Sequence, residues 1–161
     1  MSHVNIRRAE RRDLPIVLSL VERLLRELGE EGDELGDLQT ASVTRTWESL
    51  GERTVAFLAE SPDGEAVGVV TVVESFAIYA NGVYGIINEM YVASSHRSTG
   101  VGARLIAEVL SLGRTRGWGR VDVTAPESAR WSRTRRFYET QGFVLAGPKL
   151  KFVLELKRGR G

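Results

Sequence analysis

The chain has 161 residues, a formal net charge of +1, no cysteine and two histidines, His3 and His96. An apolar fraction of 42% against 27% charged residues suits one compact globular domain and argues against disorder on a large scale. Near-neutral charge supplies no global field toward nucleic acid or an acidic membrane; the missing thiols exclude disulfides, thiolate metal sites and cysteine nucleophiles, and two histidines cannot build a multi-histidine metal cluster.

Residues 1–12 are polar and charged, without an apolar stretch of signal-peptide length, and no later run reaches membrane-spanning length. A cytoplasmic protein with no membrane partner is expected. Val4, Ile6 and Arg7 begin a short alternating strand, and Asp13 ahead of Leu14 and Pro15 predicts a helix start with Asp13 as its N-cap acceptor. Leu14, Val17, Val21, Leu24 and Leu28 then recur at steps of three and four on one stripe.

The acidic, glycine-containing residues 29–37 read as a loop, and residues 42–50 around Trp47 as a shorter second helix. Residues 54–60 and 66–76 are β-rich and flank Ser61, Pro62, Asp63 and Gly64, whose chemistry is that of a tight hairpin reversal. After a glycine-bearing connection over 79–85, residues 86–92 form another strand. Val101, Leu105, Ile106, Val109 and Leu112 return to helical spacing, and Arg114, Arg116 and Gly117 close that helix with cations in the last turn and glycine beyond it.

A strand over 120–124, a loop over 126–132, a helix over 133–141 stopped by Gly142, and strands over 143–145 and 152–156 complete the chain, with 157–161 as a solvated tail. The order β, α, α, β, β, β, α, β, α, β, β contains no linker or repeat, which predicts one mixed α/β domain over 1–161.

The strand over 86–92 passes through Ala93, Ser94, Ser95 and His96 into Arg97, Ser98, Thr99, Gly100, Val101 and Gly102, where the helix begins. Such a junction rings backbone N–H groups around the positive end of a helix dipole, a place suited to a pyrophosphate. Gly100 and Gly102 remove Cβ atoms that would hold a phosphate away, and Arg97 adds a forked positive charge. Alone, two such glycines more often relieve packing at a helix start, and neither a P-loop nor a full G-x-G-x-x-G pattern is present.

Two motifs together go further. Met90, Tyr91 and Val92, then Arg97-Ser98-Thr99-Gly100-Val101-Gly102, resemble the acetyl-CoA-binding motif Q/R-x-x-G-x-G/A of the GNAT superfamily of N-acetyltransferases. Arg136-Phe137-Tyr138-Glu139-Thr140-Gln141-Gly142-Phe143 resembles the F-Y-E-x-x-G-F signature on that family's last helix. The resemblance spans residues 54–156. It implies an α/β (α+β) fold: a central mixed, mostly antiparallel sheet of about six or seven strands, splayed at the cofactor site and flanked by about four helices.

It also implies acetyl-CoA as cosubstrate and no metal. The pantetheine arm would pair with the main chain of Met90, Tyr91 and Val92, and the diphosphate would sit on Arg97, Ser98, Thr99, Gly100, Val101 and Gly102, with Arg136 and Tyr138 also toward the cofactor. The implied reaction is direct transfer of acetyl to a primary amine of a small molecule or peptide in a ternary complex. The chain departs from the family pattern at Trp131, where asparagine is common, and at Ser94, where proline is common.

An alkyl amine with a pKa of about 10 is mostly protonated at neutral pH, so a base or a water chain must take its proton. Glu89 is the first candidate; as a plain strand-edge carboxylate it would instead pair with a cation or a backbone donor. Simple alternation sends Glu89 to the side opposite Met90 and puts Asn88 on the Met90 side, unless a β-bulge, common in the family here, resets it. Glu74 and Glu60 are fallback bases.

Tyr138 matches the family's proton donor to the departing thiolate, and otherwise reads as an aromatic anchor for its helix. An N–H of Met90 or Tyr91 would serve the oxyanion. His96 reads as a loop contact. Arg130, Arg133, Arg135 and Arg136 read as a solvated helix face, with a subset in reach of a ribose phosphate. A non-catalytic CoA-binding sensor or regulatory module is the alternative function; a nucleic-acid partner is opposed by the charge balance. Residues 29–37, the Trp47 helix and residues 76–85 would select the acceptor, and the strand-rich carboxyl end offers an edge through which a homodimer could form.

Overall fold

A computed structural model describes residues 3–29, 38–125, 132–147, 149–152 and 154. Its contacts divide the chain into two compact units, Met1–Val123 and Thr124–Gly161.

The first unit contains β1 (Asn5–Arg8), α1 (Leu14–Gly29), α2 (Thr40–Leu50), β2 (Thr54–Glu60), β3 (Ala66–Ala77), β4 (Gly82–Val92), α3 (Val101–Arg116) and β5 (Val121–Val123). The strands form one sheet in the order β1-β2-β3-β4-β5. The first four are antiparallel neighbours, and β5 runs parallel to β4, a pairing that needs the α3 crossover between them.

The apolar stripe of α1 is what fixes it to the sheet. Leu14, Val17, Leu18, Leu20 and Val21 are buried against Ala56, Leu58, Val69 and Tyr91 on one face. Leu105 of α3 covers the other face and comes so near Gly68 that a Cβ there would lie 3.4 Å from Leu105 Cδ1 and 3.2 Å from the Tyr91 carbonyl oxygen. Each aliphatic side chain so buried contributes roughly 1.5–3 kcal/mol, which is why the valine-rich β3 lies at the centre of the sheet.

Asp13 does not act as the expected cap acceptor for α1. Its carboxylate turns back: Oδ2 accepts from the Glu10 amide at 2.7 Å, and its two oxygens take Arg7 Nη1 and Nη2 at 2.7 and 2.8 Å. Arg7 also donates through Nε to Glu60. The expected connection over 79–85 is shorter too, because β4 starts at Gly82 after a turn in which Asn81 takes a φ of 59°. Asparagine tolerates that left-handed conformation, so the ladder resumes at once.

Helix α3 ends on Gly117, whose φ is 73°. Its amide donates to Arg114 O at 3.3 Å while that of Trp118 reaches back to Gly113 O at 2.9 Å, a Schellman closure. The Trp118 ring packs against Gly113 and Gly85, and its Nε1 donates to Glu74 at 2.6 Å.

In the second unit α4 (Ser132–Thr140) closes in the same way. Gly142, at a φ of 98°, donates to Glu139 O at 3.0 Å, and Phe143 donates to Tyr138 O at 3.1 Å. This corrects the expected strand over 143–145: Phe143 is taken up by the helix end, Val144 and Leu145 are exposed, and residues 143–147 form no ladder. Among the described residues the sheet therefore has five strands instead of six or seven, beside four α-helices.

Residues 30–37 of the expected acceptor-side loop, residues 126–131 with Arg130 and Trp131, residues 153, 155 and 156 of the last expected strand, and the 157–161 tail lie outside the described residues. Among the described residues no helix is long and apolar enough to cross a membrane.

Candidate active site

The parallel pair β4–β5 is short. It registers Gly85 with Val121, Ile86 with Asp122 and Ile87 with Val123, and goes no further. From Asn88 to Val92 the edge of β4 away from β3 has no strand beside it among the described residues. The Ala93 amide donates to Val67 O at 2.8 Å on the β3 side, so strand alternation turns the main-chain groups of Met90 and Val92 to the outer edge and those of Tyr91 toward β3. Of the two oxyanion donors considered, Met90 is the one this alternation aims outward.

A β-bulge lies in the same stretch. The register with β3 passes from Thr71–Glu89 to Val72–Ile87, leaving Asn88 as the extra residue. Thr71 shares a face with Val69 and so do their partners, which sets Glu89 beside Tyr91 on the α1 side and Ile87 on the other. Without the bulge Ile87 and Glu89 would share a face.

Glu89 is half-buried, and its carboxyl is held above the ordinary carboxylate range by loss of solvent, partly offset by the Thr71 hydroxyl. The Thr71 hydroxyl donates to Glu89 Oε2 and accepts from the Glu89 amide at 3.1 Å. The fallback carboxylates are committed elsewhere. Glu74 alternates to the other face, where Trp118 Nε1 and Arg116 reach it, and Glu60 pairs with Arg7.

Beyond Val92 a short 3-10 turn, Ser94–His96, leads into the glycine-bearing loop. Ser98 has a φ of 62° and Gly100 a φ of 86°, so the chain coils through the left-handed region twice before α3. The first ladder bond of α3 is Arg104 N to Gly100 O at 3.1 Å, which leaves the amides of Val101, Gly102 and Ala103 ahead of the ladder, at the positive end of the helix. A Cβ on Gly100 would meet nothing within 4 Å, so its requirement for glycine is conformational.

The Thr99 hydroxyl donates to His96 O, and His96 Nδ1 lies 2.9 Å from Ser95 Oγ, placing His96 in the loop's own bonding. The Arg97 side chain turns away from the amides. Its Nε donates to Val92 O at 2.8 Å, its Nη2 lies 2.8 and 2.9 Å from the Glu27 oxygens, and its guanidinium stands 5.6 Å from the Tyr91 ring centroid. A forked charge reserved for phosphate is thus not its arrangement here.

In the second unit Tyr138 is buried, with its ring centroid 5.3 Å from Phe137 and 5.6 Å from Phe143. Burial pushes its phenol up to about 12. Tyr138 and Phe143 occupy the two positions whose side chains meet in a Schellman closure, so the Tyr-to-Gly-Phe spacing has a structural cause of its own. Arg133, Arg135 and Arg136 are exposed on α4, and Arg135 pairs with Glu139 at 2.9 Å.

Sequence reasoning missed Thr71 and Glu27. Thr71 could be noticed as the one hydroxyl within an apolar run from Val67 to Val73; Glu27 carried no signal.

The family described as Acetyltransferase (GNAT) domain matches residues 52–145, more than half of the chain. No curated protein sequence matches it. Among solved structures it is similar to an aminoglycoside acetyltransferase from an uncultured soil metagenomic sample in complex with trehalose, at 19% identity and a TM-score of 0.74 over 96% of this chain and 97% of that one. A predicted acetyltransferase with acetyl-CoA from Clostridium acetobutylicum aligns at 18% identity and a TM-score of 0.76 over 94% and 96%. Glucosamine-6-phosphate N-acetyltransferase from Arabidopsis thaliana aligns at 18% identity and a TM-score of 0.73 over 95% and 99%.

Proposed function

The chain belongs to the GNAT acetyltransferase family, and from that membership we propose that it moves the acetyl group of acetyl-CoA directly to a primary amine of a small molecule or peptide, in a ternary complex. One observation carries the reading: the bulge at Asn88 brings a half-buried carboxylate, Glu89, to the stretch of β4 beyond its last pair with β5. The outer edge of Met90 and Val92 suits the amides of an extended pantetheine arm, and the loop from Arg97 to Gly102 with the start of α3 suits its diphosphate. That one structural neighbour was solved with acetyl-CoA supports the choice of cosubstrate.

In this reading Glu89 takes the ammonium proton, directly or through water, and burial makes its carboxylate a better base than an exposed one. With no cysteine in the chain, the amine attacks the thioester itself. Tyr138 meets the departing thiolate. A phenol near 12 holds its proton more tightly than a thiol of about 8.5, so its part is a hydrogen bond that carries the developing charge on sulfur.

The test is thiol release from acetyl-CoA across a panel of amines, with mass detection of the product, beside Glu89→Gln and Tyr138→Phe. An acetylated amine is expected, with kcat lowered roughly 100-fold or more by Glu89→Gln and about 10-fold by Tyr138→Phe. Tight CoA binding with every amine left unmodified would overturn catalysis in favour of a CoA-binding sensor.

A further inference from the structure

We infer that Thr71 is a positioning residue for Glu89: by holding both the amide and the carboxylate of Glu89 across the bulge, its hydroxyl fixes the direction in which the base presents its second oxygen. The inference deepens the proposed function and rests on the reading of Glu89 as the base.

Thr71 lies in the middle of β3, 4% exposed, and among the described residues it and Asp13 are, tyrosines aside, the only buried ones with a polar side chain. Its neighbours Val69, Val70, Val72 and Val73 show what packing alone would place there, and valine has the shape of threonine without the hydroxyl. The hydroxyl has a use at this position only. Opposite it the register slips by one residue, and the Glu89 amide donates to Thr71 Oγ1 at 3.1 Å.

The same oxygen donates its hydrogen to Glu89 Oε2. A hydroxyl has one donor and two acceptor positions, so both contacts are made at once without conflict. Glu89 is thereby tied at its main chain and at one carboxylate oxygen, while Oε1 has no hydrogen-bond partner among the described residues. A long side chain that would otherwise sample several rotamers is left with one oxygen aimed and available. No charged side chain among the described residues contributes to the carboxyl's proton affinity; burial and the Thr71 hydroxyl are the two influences.

The test compares the whole chain with Thr71→Val, Thr71→Ser, Glu89→Gln and the Thr71→Val/Glu89→Gln pair, with Thr71→Ala as a second hydroxyl-free variant should the valine form fail to fold. Thr71→Val is expected to lower kcat about 10- to 100-fold while KM for acetyl-CoA stays within about twofold, and Thr71→Ser to return kcat to within about threefold. In the Glu89→Gln background Thr71→Val should cause no further loss. Full kcat in Thr71→Val, equal loss in the serine form, or added loss in the double variant would each overturn the inference.

Titration of the Glu89 carboxyl carbon by NMR separates this result from the fate of the proposed activity. Should wild type acetylate no amine, the base reading falls; an upward shift in Thr71→Val and none in Thr71→Ser would still uphold the tether, and identical titration in all three would remove it.

Discussion

Arg97 of the glycine-bearing loop is pinned to Glu27 of α1, one nitrogen reaching both carboxylate oxygens at 2.8 and 2.9 Å. The side chains are 45% and 33% exposed, so the pair itself contributes at most ~1 kcal/mol. Its consequence is positional, because the same guanidinium bonds Val92 O and lies over Tyr91, bracing the loop that would receive the diphosphate.

Two opposing expectations follow for CoA binding by calorimetry. Arg97→Ala removes brace and charge together and should weaken binding about 10-fold. Glu27→Gln removes a negative charge near an anionic ligand and should tighten it about two- to fivefold at low ionic strength, with the gain fading in salt. Equal weakening by both would mean that the brace outweighs the charge.

Glu89→Gln should separate stability from activity. The folded-state carboxyl is raised above its ordinary value, so its contribution to stability is present below that ordinary value and lost as pH rises through the raised one. At pH 8 the ionised group is therefore a cost to the fold, which glutamine removes while it can still accept from Thr71. Denaturant titration should find the variant more stable than wild type at pH 8, on the order of 1 kcal/mol, and the advantage should shrink at pH 4. A variant less stable at pH 8 would refute the assigned cost of burial.

What was readable in the sequence depended on how local its cause was. Gly100, Gly117 and Gly142 stand where the chain needs a positive φ, and each marks its junction with no help from the rest of the fold. The side of the sheet that Glu89 faces depends on a register slip against Thr71, eighteen residues away, and no pattern within β4 reveals it. Phe143 misled for the same reason. Its apolar neighbours look like a strand, but a bond from its amide to Tyr138 O makes it part of a helix closure. Asn81 and Gly82 are a hairpin signal that was legible and was absorbed into too long a connection.

Asp13 should make the fold sensitive to acid. The Arg7 guanidinium holds its buried carboxyl down to about 2, so its stabilising contribution is complete above the ordinary carboxylate value and is lost as pH falls toward 2. The contribution is roughly 1–2 kcal/mol at neutral pH. Asp13→Asn should lose about that much in denaturant titration at pH 7, and the gap from wild type should narrow below pH 4. A gap independent of pH would assign the effect to the Glu10 amide contact instead of the charge.

The Trp118 ring fills the place where β4 and β5 begin to pair, and Gly85 is the residue that lets it in. A Cβ at Gly85 would stand 2.3 and 2.6 Å from two ring carbons, against 2.8 Å for one at Gly113. Neither contact is with the end of a flexible chain, since the indole is also held by its bond to Glu74 at 2.6 Å. Gly85→Ala should therefore destabilise by about 1–3 kcal/mol, and Gly113→Ala by less. Gly85 also pairs with Val121, so a displaced ring would shift β5 at the base of the β4 stretch that runs beyond their last pair and raise KM for acetyl-CoA along with the loss of stability. Replacing Trp118 by leucine in the Gly85→Ala protein should recover part of both, because the clash disappears with the ring. Unchanged stability in Gly85→Ala would show that the indole does not occupy this slot in solution.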